Sequence, residues 1–122
     1  RIVRDRPARM IDDEVRRLIA ASNTPEPDRR ISATSKLAML LAEHQHLAAG
    51  RLRYAVPRID AAAAQSAVLA RAGDAEWHVR ARLAEMTRWF VLDKSASQVV
   101  TQLLADGHWL VRGLAVRSLA DH

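Results

Sequence analysis

Leu69-Ala70-Arg71-Ala72-Gly73-Asp74-Ala75-Glu76-Trp77-His78-Val79-Arg80-Ala81-Arg82-Leu83-Ala84-Glu85-Met86-Thr87-Arg88-Trp89-Phe90 reads as the end of one helix, an acidic turn at Gly73-Asp74, and a second helix from about Glu76 to Val91. The pattern returns: Asp106, Trp109, Val111 and Arg112 repeat Asp74, Trp77, Val79 and Arg80 at a constant offset of 32. A fixed period of this length, made of two helices, is the signature of stacked helix pairs in which each unit covers the apolar face of its neighbour.

Outward from these two copies, Leu40-Leu41-Ala42-Glu43 falls in register with Leu103-Leu104-Ala105-Asp106 at an offset of 63, about twice the period. The register predicts three units whose second helices share inward columns: Ala48, Val79, Val111; Leu52, Leu83, Ala115; Ala55, Met86, Ser118. All are small or apolar, at i, i+4, i+7 spacing. The first unit departs from the motif, with Ala49 in the arginine column and His46 in the tryptophan column.

The remaining chain supplies the starts and stops. A basic lead-in, Arg1 to Arg9, runs into a helix with Pro7 near its first turn; Met10, Val15, Leu18 and Ile19 form its stripe, and it should end near Ala21. Ser22 to Asp28, with two prolines, is a loop. With Asp28 as N-cap, a second helix brings Ile31, Leu37, Leu40 and Leu41 to the core and should falter near Glu43 to His46, resuming from Leu47 until Pro57 disfavours helical geometry at Val56. Asp60 opens an Ala-rich helix through Ala72, and the capping-box spacing of Ser95 and Gln98 starts another that ends near Ala105. The last helix is expected over His108 to Ala120.

Composition agrees with helices. With 49% hydrophobic but only 4% aromatic residues in 122, the core must be Ala, Leu and Val, and four glycines leave little turn chemistry for an all-β fold. The expectation is a single all-α domain over 1–122. The absence of cysteine excludes disulfides, thiolate metal sites and cysteine nucleophiles, and leaves the cytoplasm as the default compartment. No apolar run approaches the roughly 18 residues of a membrane span. The net charge of +5 is carried almost entirely by arginine, whose planar fork suits carboxylates and phosphates.

Asp74 to Arg80, preceded by Leu69 and recurring from Ala105 to Arg112, resembles a HEAT repeat, including its bilin-lyase-type variety. The resemblance implies a right-handed α-solenoid of about three helix pairs plus an N-terminal helix. It also implies a ladder between neighbouring repeats made by the turn aspartate and the Val-Arg arginine, which gives Asp74, Trp77, Val79, Arg80, Asp106, Trp109, Val111 and Arg112 a structural role. HEAT-like proteins bind through the concave face of their second helices. Here that face holds Arg51, Tyr54, Arg58, Arg82, Glu85, Trp89 and Arg117, alongside Leu47, His78, Leu110, Leu114 and Asp121.

These residues support a non-enzymatic scaffold for protein–protein interaction. The alternative is DNA binding, with phosphates on the arginines and bases stacked on Tyr54 or Trp89. A HEAT-like DNA glycosylase or lyase is the third reading, for which Trp89 with Glu85 is the nearest aromatic–carboxylate pair. There is no Gly-rich phosphate loop, nucleophile elbow or HExxH motif, and His44 and His46 would not share a helical face, so no cofactor or metal is expected. Leu110 and Leu114 replace the more polar His78 and Arg82, and no polar capping helix follows Ala120. That end is therefore expected to be covered by further repeats of a longer array or by self-association.

Overall fold

The computed structural model describes residues 2–48 and 59–122, with side chains placed over 12–46 and 59–122. Among the described residues there are six α-helices and no strand: α1 (Ile2–Ala21), α2 (Pro27–Ala48), α3 (Ala61–Leu69), α4 (Trp77–Met86), α5 (Lys94–Leu104) and α6 (Trp109–Ala120). Single 3-10 turns, Ala70–Gly73 and Thr87–Trp89, tighten the ends of α3 and α4. None of these helices is long and apolar enough to cross a membrane.

The helix starts follow from local chemistry. The Asp60 carboxylate accepts the Ala63 N–H at 3.0 Å, so the expected cap of α3 is present. At α5 the expected capping box is replaced: Asp93 accepts the Ala96 N–H at 2.8 Å, and Ser95 lies inside the first turn. Gln65 of α3 also donates to both Asp93 oxygens, at 3.1 and 2.9 Å, so this cap ties two units together. α2 begins one residue before its expected cap. Pro27 has no N–H to leave unsatisfied, and Asp28 in the first turn complements the helix dipole.

The largest departure from expectation is in the first unit. α2 runs without interruption through Glu43 to His46, because that stretch has no glycine or proline to break it. No helix pair therefore starts a unit at Leu40. The N-terminal helix α1 packs against α2. Leu52 and Ala55 of the inward columns, and the end of the helix expected before Pro57, lie outside the described residues.

α1 packs on α2, α3 on α2, and α5 on α6, while α4 contacts α2 on one side and α6 on the other. One continuous core results, drawing on Val15 and Leu18 of α1, Leu37, Ala38 and Leu41 of α2, Val68 of α3, Leu83 and Met86 of α4, Leu103 of α5, and Val111 and Ala115 of α6. Val79 is buried as well, so the described members of all three inward columns point away from solvent, Ser118 included. Ser118 is accommodated because its hydroxyl shares a hydrogen bond of 2.8 Å with Thr87, itself bonded to the Ala84 carbonyl at 2.7 Å. A buried hydroxyl without a partner would cost about 1–3 kcal/mol.

Leu83 is fully buried between neighbouring units. Leu83→Ala should lower the unfolding free energy by about 3 kcal/mol in urea titrations followed by circular dichroism. By contrast, Val116 is 59% exposed, and Val116→Ala should stay within about 0.5 kcal/mol.

Candidate functional site

The turn between α3 and α4 is built on Asp74. Its Oδ1 accepts the Glu76 N–H at 3.0 Å, which closes the turn, and each of its oxygens takes one prong of the Arg30 fork, at 2.9 and 3.0 Å. Arg71 adds a third guanidinium contact at 3.1 Å. The carboxylate is 2% exposed, so these donors replace the water it has lost. Burial pushes the Asp74 carboxyl up, but the Arg30 hydrogen bonds, the Glu76 N–H and the charges of Arg30 and Arg71 outweigh it and hold the group below its ordinary value. The same bonds to Asp74 raise the Arg30 guanidinium.

The arrangement recurs one unit on. Asp106 accepts the His108 N–H at 2.9 Å and the Arg80 fork at 2.7 and 3.2 Å. Burial raises its carboxyl and is again outweighed by Arg80, the His108 N–H and the neighbouring charges. Three arginines also donate through Nη1 to the carbonyl six residues earlier: Arg30 to Thr24 at 2.9 Å, Arg80 to Asp74 at 2.7 Å, Arg112 to Asp106 at 2.7 Å. Thr24 and Arg30 therefore share this bond with the two copies of the motif. The signal in the sequence was the spacing of six. It was hidden because threonine stands at the aspartate position.

The two tryptophans of the motif differ in setting. Trp77 lies flat on the ring of His108 in the next unit, centroids 4.2 Å apart and planes at 8°. Trp109 is 69% exposed. His108 also caps α6, its Nδ1 accepting the Leu110 N–H at 3.1 Å.

Of the predicted binding residues, Arg51, Tyr54 and Arg58 lie outside the described residues. The other four sit on or beside the face shared by α4 and α6. Arg82 pairs with Glu85 and also donates to Ser35 of α2 at 3.2 Å, which spends its fork inside the molecule. Glu85 and Arg117 meet across an open notch of about 160 Å³ lined also by Arg88, Leu114 and Ser118. Trp89 is 37% exposed, with the Arg88 guanidinium 5.7 Å from its ring centroid. Arg88 in turn lies 3.6 Å from Asp121. Arg117 forms no ion pair among the described residues. The notch is smaller than the roughly 300–1,000 Å³ of small-molecule pockets and has room for about one side chain.

A second cavity, of about 350 Å³, lies between α1 and the start of α3, lined by Asp12, Val15, Arg16, Ile19, Ile59, Asp60 and Ala63, and holds none of the predicted residues. No group of three His, Cys, Asp or Glu among the described residues is placed to hold a metal ion. His78, for instance, lies 3.9 Å from Glu76.

Two outcomes follow for the aspartates. Asp74→Ala leaves two guanidinium groups facing a vacated site and should cost about 3 kcal/mol, more than Asp106→Ala, which strands one; thermal melts of the two variants give the order. Both carboxyls titrate below the ordinary value of 3.8 in the folded state. Their contribution is thus complete above about pH 4 and is lost as pH falls through the folded-state values, because the unfolded chain takes up protons first. Unfolding midpoints between pH 5 and 2 should fall less steeply for Asp74→Asn than for the native chain.

Comparison with protein-family models, with curated proteins and with solved structures returns no match to this chain.

Proposed function

We propose that the chain is a HEAT-like scaffold, a right-handed α-solenoid of three helix pairs, that binds a protein segment on the face formed by α4 and α6. The repeated bond from each unit's arginine to the carbonyl six residues earlier supports the repeat reading, because it recurs where the sequence motif does not. One observation carries the choice of partner: the arginines of this face are answered by the chain's own carboxylates. Arg82 is held by Glu85 and Arg88 by Asp121, whereas among the described residues Arg117, beside the half-buried Leu114, has no such partner. Phosphate backbones are bound by rows of uncompensated cations. A single open arginine next to an apolar side chain instead fits a peptide carboxylate flanked by a large apolar residue.

Peptide display against the intact chain provides the test. Enriched sequences should pair an acidic residue with a bulky apolar one. Their affinity should drop at least about tenfold, or roughly 1.4 kcal/mol, for Arg117→Glu combined with Leu114→Ala, while circular dichroism shows the fold unchanged. Oligonucleotides at about 50 mM salt should give no mobility shift. A shift that weakens steeply with salt, and disappears when Arg51, Arg58 and Arg82 are neutralised together, would replace this reading with nucleic-acid binding.

A further inference from the structure

α1 and α3 both rest on α2, but they touch each other only lightly, and the gap between them is the cavity of about 350 Å³. Its walls are hydrocarbon, from Val15 and Ile19 of α1 and from Ile59 and Ala63 at the start of α3. Asp12, Arg16 and Asp60 supply its polar groups. The volume falls within the roughly 300–1,000 Å³ of small-molecule sites.

The neighbouring helices α3 and α5 show what the carboxylates of this cavity lack. Asp93 caps α5 by accepting the Ala96 N–H, and Gln65 of α3 donates to both of its oxygens, at 3.1 and 2.9 Å. Asp60 caps α3 in the same way, Oδ1 accepting the Ala63 N–H at 3.0 Å. Among the described residues, however, no side chain of α1 donates to it, and Asp12 forms neither a hydrogen bond nor an ion pair. Arg16, the cation in the lining, is turned to Asp13 instead. In a chain of net charge +5, this cavity thus holds two carboxylates that no described cation answers.

We infer that the cavity binds a small organic ammonium ion, with its N–H donors on Asp12 and Asp60 and its hydrocarbon body against Val15, Ile19, Ile59 and Ala63. Two carboxylates beside hydrocarbon walls favour a cationic head over a neutral or anionic one, because Coulomb attraction is screened less there than in water. The head must carry N–H groups. A quaternary ammonium has none and is held by aromatic cages, whereas no aromatic ring lines this cavity among the described residues. A bare metal ion fits poorly, since it needs more oxygen ligands than two carboxylates provide and hydrocarbon supplies none. The site shares no residue with the peptide notch on α4 and α6, so the inference goes beyond the scaffold reading and does not rest on it.

Titration of the whole chain with phenethylammonium chloride, followed by NMR of the methyl groups, provides the test. The methyl signals of Val15, Ile19, Ile59 and Ala63 should shift together and saturate with a Kd of about 1 mM or tighter, while those of Leu114 stay in place. Phenethyl alcohol, which has the same body without the charge, should bind at least about tenfold more weakly, and so should phenethyltrimethylammonium. Asp12→Asn combined with Asp60→Asn should weaken the amine by a similar factor with circular dichroism unchanged, because asparagine also caps helices. Ala63→Leu should abolish binding by filling the cavity. The absence of a saturable shift at these four residues, equal binding of the alcohol, or amine binding that survives the double substitution would each overturn the inference. None of these outcomes alters peptide binding at Arg117 and Leu114, which is measured separately.

Discussion

The structure depends on a buried carboxylate that cannot be left unanswered. Asp74 lies almost wholly out of water between three helices, and desolvating a charge to that degree costs several kcal/mol unless donors fill its lone pairs. Arg30 from the preceding unit, Arg71 from its own helix pair and the Glu76 amide do so together. Net stabilisation from such a group is modest. Its larger effect is on geometry, since only one placement of α2 against the α3–α4 turn brings the Arg30 fork to both oxygens. Alanine-rich faces such as those of α2 and α4 slide easily over one another, and the rung fixes where they stop.

How legible this was depended on which partner carried the identity. Asp74, Arg80, Asp106 and Arg112 stand out because the motif is copied at a constant offset, and the turns and second helices they mark were readable to within a residue or two. The first unit was not. Its turn keeps the backbone bond to arginine but uses threonine, and a helix of unusual length puts it 50 residues before its counterpart rather than 32. Side-chain identity therefore favours a register at Leu40 to Glu43, where the apolar spacing matches but α2 makes no turn. Capping erred for a related reason. Asp93 and Ser95 both have the right chemistry, and the choice between them was made by Gln65 from another helix, a long-range contact that local spacing does not encode.

Charge was legible only as a total. A net charge of +5 invites a phosphate partner, yet most of the described arginines on α2, α4 and their turns are taken up by Asp74, Asp106, Glu85 or Asp121. What a surface attracts depends on which forks remain open. On α6, Arg112 and Arg117 form no ion pair among the described residues.

The hydroxyl pair of Thr87 and Ser118 has a consequence for the order of the units. The dependence runs one way: Thr87 keeps the Ala84 carbonyl without Ser118, whereas the Ser118 hydroxyl is left unpartnered without Thr87. On α6 the corresponding forward position is Leu119, so a hydroxyl arriving there would be stranded against hydrocarbon. The pairs Arg30–Asp74 and Arg80–Asp106 are alike in geometry and do not by themselves tell one turn from the other. The hydroxyl pair is particular, so setting α6 against a helix without a hydroxyl at that place would be penalised even where every charge is satisfied.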